Sequence, residues 1–151
     1  MEQHLQELIN KIPTGLLIGD TWREGFAGET FDVLNPATEE KLTTLASATP
    51  EDAIAALDAA CQVQDQWAHT PPRERAEILR RAYDLITDRS EEFATLMTLE
   101  MGKPLAESRG EVVYGAEFLR WFSEETVRDY GRYQPTPEGK NQILVKHKPV
   151  G

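Results

Sequence analysis

The stretch MTLEMGKPLAESRGEVVYGAEFLRWFSEE, Met97 to Glu125, decides how the chain is built. Leu96, Met97 and Met101 close one helix, and Gly102 stands where a left-handed C-cap is needed. Pro104 has no N–H to give a helix interior, so it fits only the first turn of a second helix. That helix runs toward Tyr130. Tyr114, Phe118, Trp121 and Phe122 recur at i, i+4, i+7 and i+8 on one apolar face. Val112, Gly115, Leu119 and Phe122 form a stripe beside it. Stripes of that combined width predict a helix buried between other elements.

Upstream, three more helices are legible. Thr49-Pro50-Glu51-Asp52 is a helix start, with Thr at the N-cap, Pro at the first position and Asp where its charge meets the helix dipole. Ile54, Leu57 and Cys61 mark one face of that helix, with Val63 and Trp67 on an adjacent one. Thr70-Pro71-Pro72 ends it and starts the next, whose apolar stripe is Ile78, Leu79, Ala82, Leu85 and Ile86. Ser90 is expected to cap the third. Before Thr49 the pattern is of strands. Leu16–Ile18 and Thr21–Arg23 flank Gly19-Asp20, a tight hairpin turn. Thr30–Leu34 and Leu42–Ala46 follow, and together these read as a small β-meander behind a short helix at Leu5–Ile12. After the long helix, residues 133–140 read as a loop and Gln142–Lys148 as an extended strand. The expectation is an α/β chain: a β-meander, four main helices and a C-terminal strand. Ending on Pro149-Val150-Gly151, it reads as leading into further structure.

Composition narrows the function. The chain has 151 residues, 40% of them hydrophobic, with 26 acidic against 16 basic residues and a net charge of −10. Such a charge repels phosphates, which argues against nucleic acid and anionic membrane as partners. No apolar run approaches the ~18 residues of a membrane span. One cysteine, Cys61, rules out an internal disulfide framework and suits a reducing cytoplasm. Its place on the Ile54/Leu57 face predicts a buried thiol, which disfavours the thiolate and makes it a poor nucleophile. His4, His69 and His147 are scattered and make no metal spacing. Gly102-Lys103-Pro104 lacks the spacing of a phosphate loop. Glu100, Glu107 and Glu111 read as solvated helix charge.

The run Leu99-Glu100-Met101-Gly102-Lys103-Pro104, then Ala106-Glu107 and the Glu-rich aromatic helix, resembles the N-terminal third of aldehyde dehydrogenases, closest to the succinate-semialdehyde branch. The resemblance covers residues 14–151. It implies that residues 1–131 belong to the N-terminal part of a Rossmann-like cofactor-binding domain, and that 132–151 begin an oligomerisation arm and lead into the nucleotide-binding core. It further implies NAD or NADP as cofactor, a small aldehyde as substrate, and a homodimer or homotetramer. The family's catalytic Cys and Glu and its phosphate-binding glycines are expected beyond Gly151, so the chain alone is expected to be inactive. Tyr114, with Phe118 and Trp121 on its face, would line the substrate tunnel. Glu100, with a carbonyl near Leu34, would help hold a monovalent cation. Two alternatives stay open: another branch, such as a glutarate-semialdehyde or betaine-aldehyde enzyme, and a stand-alone acidic interaction module.

Overall fold

Behind a short N-terminal helix come four strands, then four helices and a last pair of strands. The computed structural model describes residues 2–150; Met1, Gly151 and the side chains of Glu2, Gln3 and His4 lie outside the described residues. The elements are α1 (Glu2–Ile9), β1 (Leu16–Ile18), β2 (Thr21–Arg23), β3 (Thr30–Leu34), β4 (Lys41–Ala46), α2 (Pro50–His69), α3 (Pro72–Asp88), α4 (Ser90–Met101) and α5 (Leu105–Glu125). A 3₁₀ turn (Thr126–Arg128), β5 (Arg132–Pro135) and β6 (Gln142–Val145) follow. This is the mixed α/β order expected, with two corrections among the strands.

The first concerns the meander. β1 pairs only with β2, Leu16 opposite Arg23, and β3 only with β4, Thr30 opposite Ala46. Gly19 turns the first hairpin at φ +66°. Two separate hairpins result because residues 24–29 leave the sheet direction and fold under α2. A backbone bond links them instead, from the Ala46 N–H to the Thr14 carbonyl at 2.8 Å, while the Ser47 N–H to the Glu29 carbonyl, also 2.8 Å, extends the second hairpin by one pair. The second concerns the C-terminal strand. It ends at Val145, and its partner is β5 of the same chain, Arg132 opposite Val145 and Pro135 opposite Gln142. The segment expected to be a loop therefore opens with a strand.

One carboxylate joins the hairpins to the helices. Asp52 is 1% exposed. Its Oδ2 accepts the Thr49 N–H at 2.9 Å, while the Thr49 hydroxyl caps the Asp52 N–H, the reciprocal pair of a capping box. Asp52 also accepts the Phe26 N–H and pairs with Arg23 Nη2 at 2.7 Å. Arg23 in turn lies 4.4 Å over the Phe26 ring. Backbone N–H donation from Thr49, then from Phe26, and the Arg23 guanidinium hold the Asp52 carboxyl below its ordinary range, and they outweigh the opposing effect of burial. The loop backbone passes so close that a side chain at Gly25 would meet the Ser47 carbonyl. The sequence places Asp52 at the third helical position, as found, but its partners lie 26 and 29 residues upstream and leave no local signal.

Helices α3, α4 and α5 pack as a cluster whose inner seam is small. Ala76 of α3, Ala94 of α4, and Ser108, Val112, Ala116 and Ser123 of α5 are buried. Small side chains let helix backbones approach closely, and the Thr98 and Ser108 hydroxyls bond across the α4–α5 corner at 2.8 Å. The inward face of α3 is Ala76, Leu79, Ala82, Tyr83 and Ile86, whereas Ile78 and Leu85 of the expected stripe are exposed. α4 takes Arg89 rather than Ser90 as its N-cap, without a side-chain bond.

Candidate functional site

The Met97–Glu125 corner is built as its sequence reads. Gly102 ends α4 at φ +75°, a conformation that an L side chain adopts only with strain. Its α-carbon faces Pro36, whose Cγ would lie 3.0 Å from an added Cβ. Pro104 sits at the N-cap of α5, one residue earlier than its expected place, and its carbonyl accepts the Glu107 and Ser108 N–H groups. Lys103 pairs with Glu111. Arg109 clasps Glu91 with two parallel bonds of 2.8 Å, tying α5 to α4. That clasp lowers the Glu91 pKa and raises the Arg109 pKa.

α5 has two faces. Ser108, Val112, Ala116 and Ser123 turn inward. Tyr114, Phe118, Trp121 and Phe122 lie on the opposite side, and in this chain they are exposed, Tyr114 by 68% and Trp121 by 62%. The expectation of a helix whose aromatic stripes are buried between other elements is corrected: within this chain the small-residue face is the covered one. Of the second stripe, Val112 is buried and Leu119 half-buried, while Phe122 faces out. The four aromatic rings and Glu117 line a shallow depression of about 350 Å³. Tyr114 and Phe118 meet edge to face, centroids 5.1 Å apart and planes at 89°, a favourable aromatic geometry. Glu117 does not stand there as a bare charge, because Arg120 Nε donates to it at 2.9 Å. The same Arg120 lies 6.0 Å over the Tyr83 ring, which Arg80 faces at 5.3 Å. The depression is thus a largely apolar surface supplied by one helix.

The remaining candidates are placed as follows. Glu100 is exposed on the last turn of α4, and Leu34 ends β3. The contact of Pro36 with Gly102 brings the residues after each of them side by side. Among the described residues no group of three His, Cys, Asp or Glu side chains could share a metal. Glu107 is exposed, and the three glutamates form no cluster. Cys61 is exposed rather than buried. The side of α2 that faces inward carries Asp52, Ala55 and Ala59, and Ile54, Leu57 and Cys61 lie opposite. Burial therefore does not disqualify this thiol. What argues against a nucleophile is the lack of a base: no described side chain hydrogen-bonds its sulfur, and His69, which lines the same cleft, is bound through Nδ1 to the Asp65 carbonyl at 2.8 Å. His147 pairs with Asp129 and fastens the end of the chain beyond β6 to the segment after α5.

Two helix starts are already engaged within the chain. The β4–α2 junction, Ser47-Ala48-Thr49, has no glycine, and the Asp52 carboxylate already occupies the start of α2. The start of α5 is Pro104, and Lys103 is committed to Glu111.

Residues 22–151 match the sequence profile of the Aldehyde dehydrogenase family. The chain belongs to that family. A succinate-semialdehyde dehydrogenase of Paenarthrobacter nicotinovorans is 80% identical over 110 residues, 73% of this chain and 24% of that protein. A succinate-semialdehyde dehydrogenase [NADP(+)] of Escherichia coli (strain K12) is 39% identical over 135 residues, 89% of this chain and 28% of that protein. Among solved structures, an indole-3-acetaldehyde dehydrogenase of P. syringae, a mutant in complex with NAD+ and IAA, superimposes with a TM-score of 0.89 at 33% identity, over 99% of this chain and 30% of that one. The chain thus spans 24% to 30% of the length of these relatives. No helix among the described residues is long and apolar enough to cross a membrane.

Proposed function

We propose that this chain is the N-terminal part of a succinate-semialdehyde dehydrogenase that uses NAD or NADP. The observation that carries this reading is the 80% identity to the Paenarthrobacter nicotinovorans enzyme. It stands against 37% to a glutarate-semialdehyde dehydrogenase of Pseudomonas aeruginosa and 27% to a betaine aldehyde dehydrogenase of Staphylococcus aureus. In the reaction of that class an aldehyde and water become an acid, a hydride going to the nicotinamide that would accept it when bound and a proton to solvent. The groups for that step lie outside this chain. Its own part is to line the substrate's way in: Tyr114, Phe118 and Trp121 form a wall of the tunnel, with the Tyr114 hydroxyl as its wet end. Glu100 and a carbonyl near Leu34 are the place for a monovalent cation. Residues 1–131 belong to the cofactor-binding domain; 132–151, with the β5–β6 hairpin, begin the arm through which the enzyme forms a homodimer or homotetramer in the cytoplasm.

The test compares kcat/KM of the enzyme containing this chain for succinate semialdehyde, glutarate semialdehyde and betaine aldehyde, each with NAD and NADP. Succinate semialdehyde is expected to lead. A lead of ~10-fold or more for either competitor overturns the substrate assignment. The 151-residue chain by itself is expected to bind neither dinucleotide; saturable calorimetric binding at millimolar concentration would contradict that.

A further inference from the structure

The aromatic depression on α5 is lined by one ionised side chain. Of the five residues around it, Tyr114, Phe118, Trp121 and Phe122 are aromatic and the fifth is Glu117. A carboxylate set among aromatic rings acts over a longer range than one in open water, because apolar walls screen it less and focus its field. Glu117 carries a partner on its own helix. Nε and Nη2 of Arg120 both donate to its Oε2, the first at 2.9 Å. An arginine is charged across the physiological range, so this partner is a constant one.

Arg120 is held from its other side as well. Its guanidinium lies 6.0 Å over the Tyr83 ring of α3, which Arg80 faces at 5.3 Å, and Arg80 is itself paired with Asp84 at 3.3 Å. The neutralising charge is thus fixed between α3 and α5 rather than free to swing into solvent. As a stabiliser such a pair is worth little: it spans i,i+3, and its side chains are 47% and 41% exposed. Its place gives it a different consequence. It decides what charge a molecule approaching the aromatic rings meets. The pair of the same spacing further along, Glu125 with Arg128 at 2.7 Å, does not line the depression.

We propose that Arg120 is a specificity-determining residue: by neutralising Glu117 it keeps the aromatic depression open to aldehydes that carry a carboxylate. The proposal rests on the reading that this face of α5 lines the substrate's way in. It concerns the charge of the substrate, not its bulk. Without Arg120, Glu117 stands alone beside the rings; it repels an anionic aldehyde, attracts a cationic one and leaves a neutral one unaffected. Without Glu117, the unpaired guanidinium reverses that order. Without either, no net charge is left and the order returns to that of the parent.

The experiment measures kcat/KM of the enzyme containing this chain for three aldehydes: succinate semialdehyde (an anion), butanal (neutral) and betaine aldehyde (a cation). Each is read at ionic strengths of about 0.01 M and about 0.5 M, where screening is weak and strong. At low salt Arg120→Gln is expected to lower the ratio of succinate semialdehyde to butanal by about 3–10-fold and to raise that of betaine aldehyde to butanal by a similar factor. Both shifts should shrink at high salt. Arg120→Lys keeps the charge and should keep most of the parent ratio, and Arg120→Gln combined with Glu117→Gln should restore it. Arg128→Gln breaks the like-spaced pair away from the depression and should leave both ratios unchanged. Thermal melts of the Arg120 and Glu117 variants should match the parent, since both side chains are exposed. Equal losses for all three aldehydes, shifts that ignore salt, or a double variant no better than Arg120→Gln would overturn the proposal. The readings beneath it are reported separately. A Tyr114→Ala variant that still discriminates by bulk, with no order by charge, upholds the tunnel wall and removes the role of Arg120. A parent enzyme that prefers betaine aldehyde, with the charge order of the variants intact, upholds Arg120 and removes the substrate assignment.

Discussion

The start of α2 and the outer face of α5 are opposites. At the first, a buried carboxylate finds a backbone donor on each side, a hydroxyl and a guanidinium, all within this chain. At the second, four aromatic side chains lie open beside Glu117 of the same helix. Polar groups must be matched wherever they are buried, so a polar junction shows when it is complete. Apolar groups carry no such mark, and an exposed ring looks the same whether it awaits a substrate, a domain or nothing. The comparison teaches where to look for function in an incomplete assembly: at the unmatched apolar surface, not at the well-bonded charge.

The widest gap between the two regions should appear with Tyr114→Ala. In the enzyme containing this chain it is expected to lower kcat/KM for succinate semialdehyde by about 10–100-fold, because small misplacements of a reacting carbon are costly. Bulkier aldehydes should suffer less. In the isolated chain the same change should alter stability by no more than ~0.5 kcal/mol, as for other exposed positions. A loss near the ~3–5 kcal/mol of a buried aromatic, with equal losses for every aldehyde, would make Tyr114 a packing residue.

Asp52 should behave in the reverse sense, with a large effect on stability and none that distinguishes one aldehyde from another. Its folded pKa lies below the ordinary 3.8. The stability it adds is thus fully present above that value and is lost as the pH falls through the lower, folded one. Thermal melts of the isolated chain from pH 7 down to pH 2 should show this loss on the acid side of 3.8. Asp52→Asn should melt lower at pH 7 and lose that part of the acid dependence. An unchanged profile would show that the junction adds nothing. Thr49→Ala, which keeps the carboxylate and removes one half of the capping box, should cost ~1 kcal/mol.

Smallest of all is Cys61→Ser. An exposed thiol without a hydrogen-bond partner predicts a change within ~0.5 kcal/mol in the isolated chain and turnover within a few-fold in the enzyme. A fall in turnover of three orders of magnitude with folding intact would make this thiol chemical after all.

What could be read from the sequence was local chemistry. Gly19 and Gly102 announced their positive φ, and Thr49-Pro50 announced the helix start, because each of these is decided within a few residues. The direction in which a face points is not local. Ile54, Leu57 and Cys61 are spaced like a core stripe, yet the side of α2 that meets the hairpins is the alanine side. Periodicity finds an apolar face without saying what covers it. β5 escaped notice because Arg132-Tyr133-Gln134-Pro135 has no apolar alternation and ends on proline; it is a strand because β6 lies beside it. For the site, the aromatic spacing of α5 was plain, and the hydrogen bond that neutralises Glu117 through Arg120, three residues on, could have been found at that same helical spacing.

The small-residue seam of α3, α4 and α5 bears on the order of events during synthesis. Its contacts all fall between Ala76 and Ser123, close together in sequence, and local contacts form early. On the reading proposed above, this cluster leaves the ribosome well before the part of the chain that would cover it. At about 5–20 residues per second, translation of several hundred further residues takes tens of seconds. Through that interval the seam is shut and the rings of Tyr114, Phe118, Trp121 and Phe122 stand in water. Until then these rings are apolar surface that the growing chain must carry uncovered.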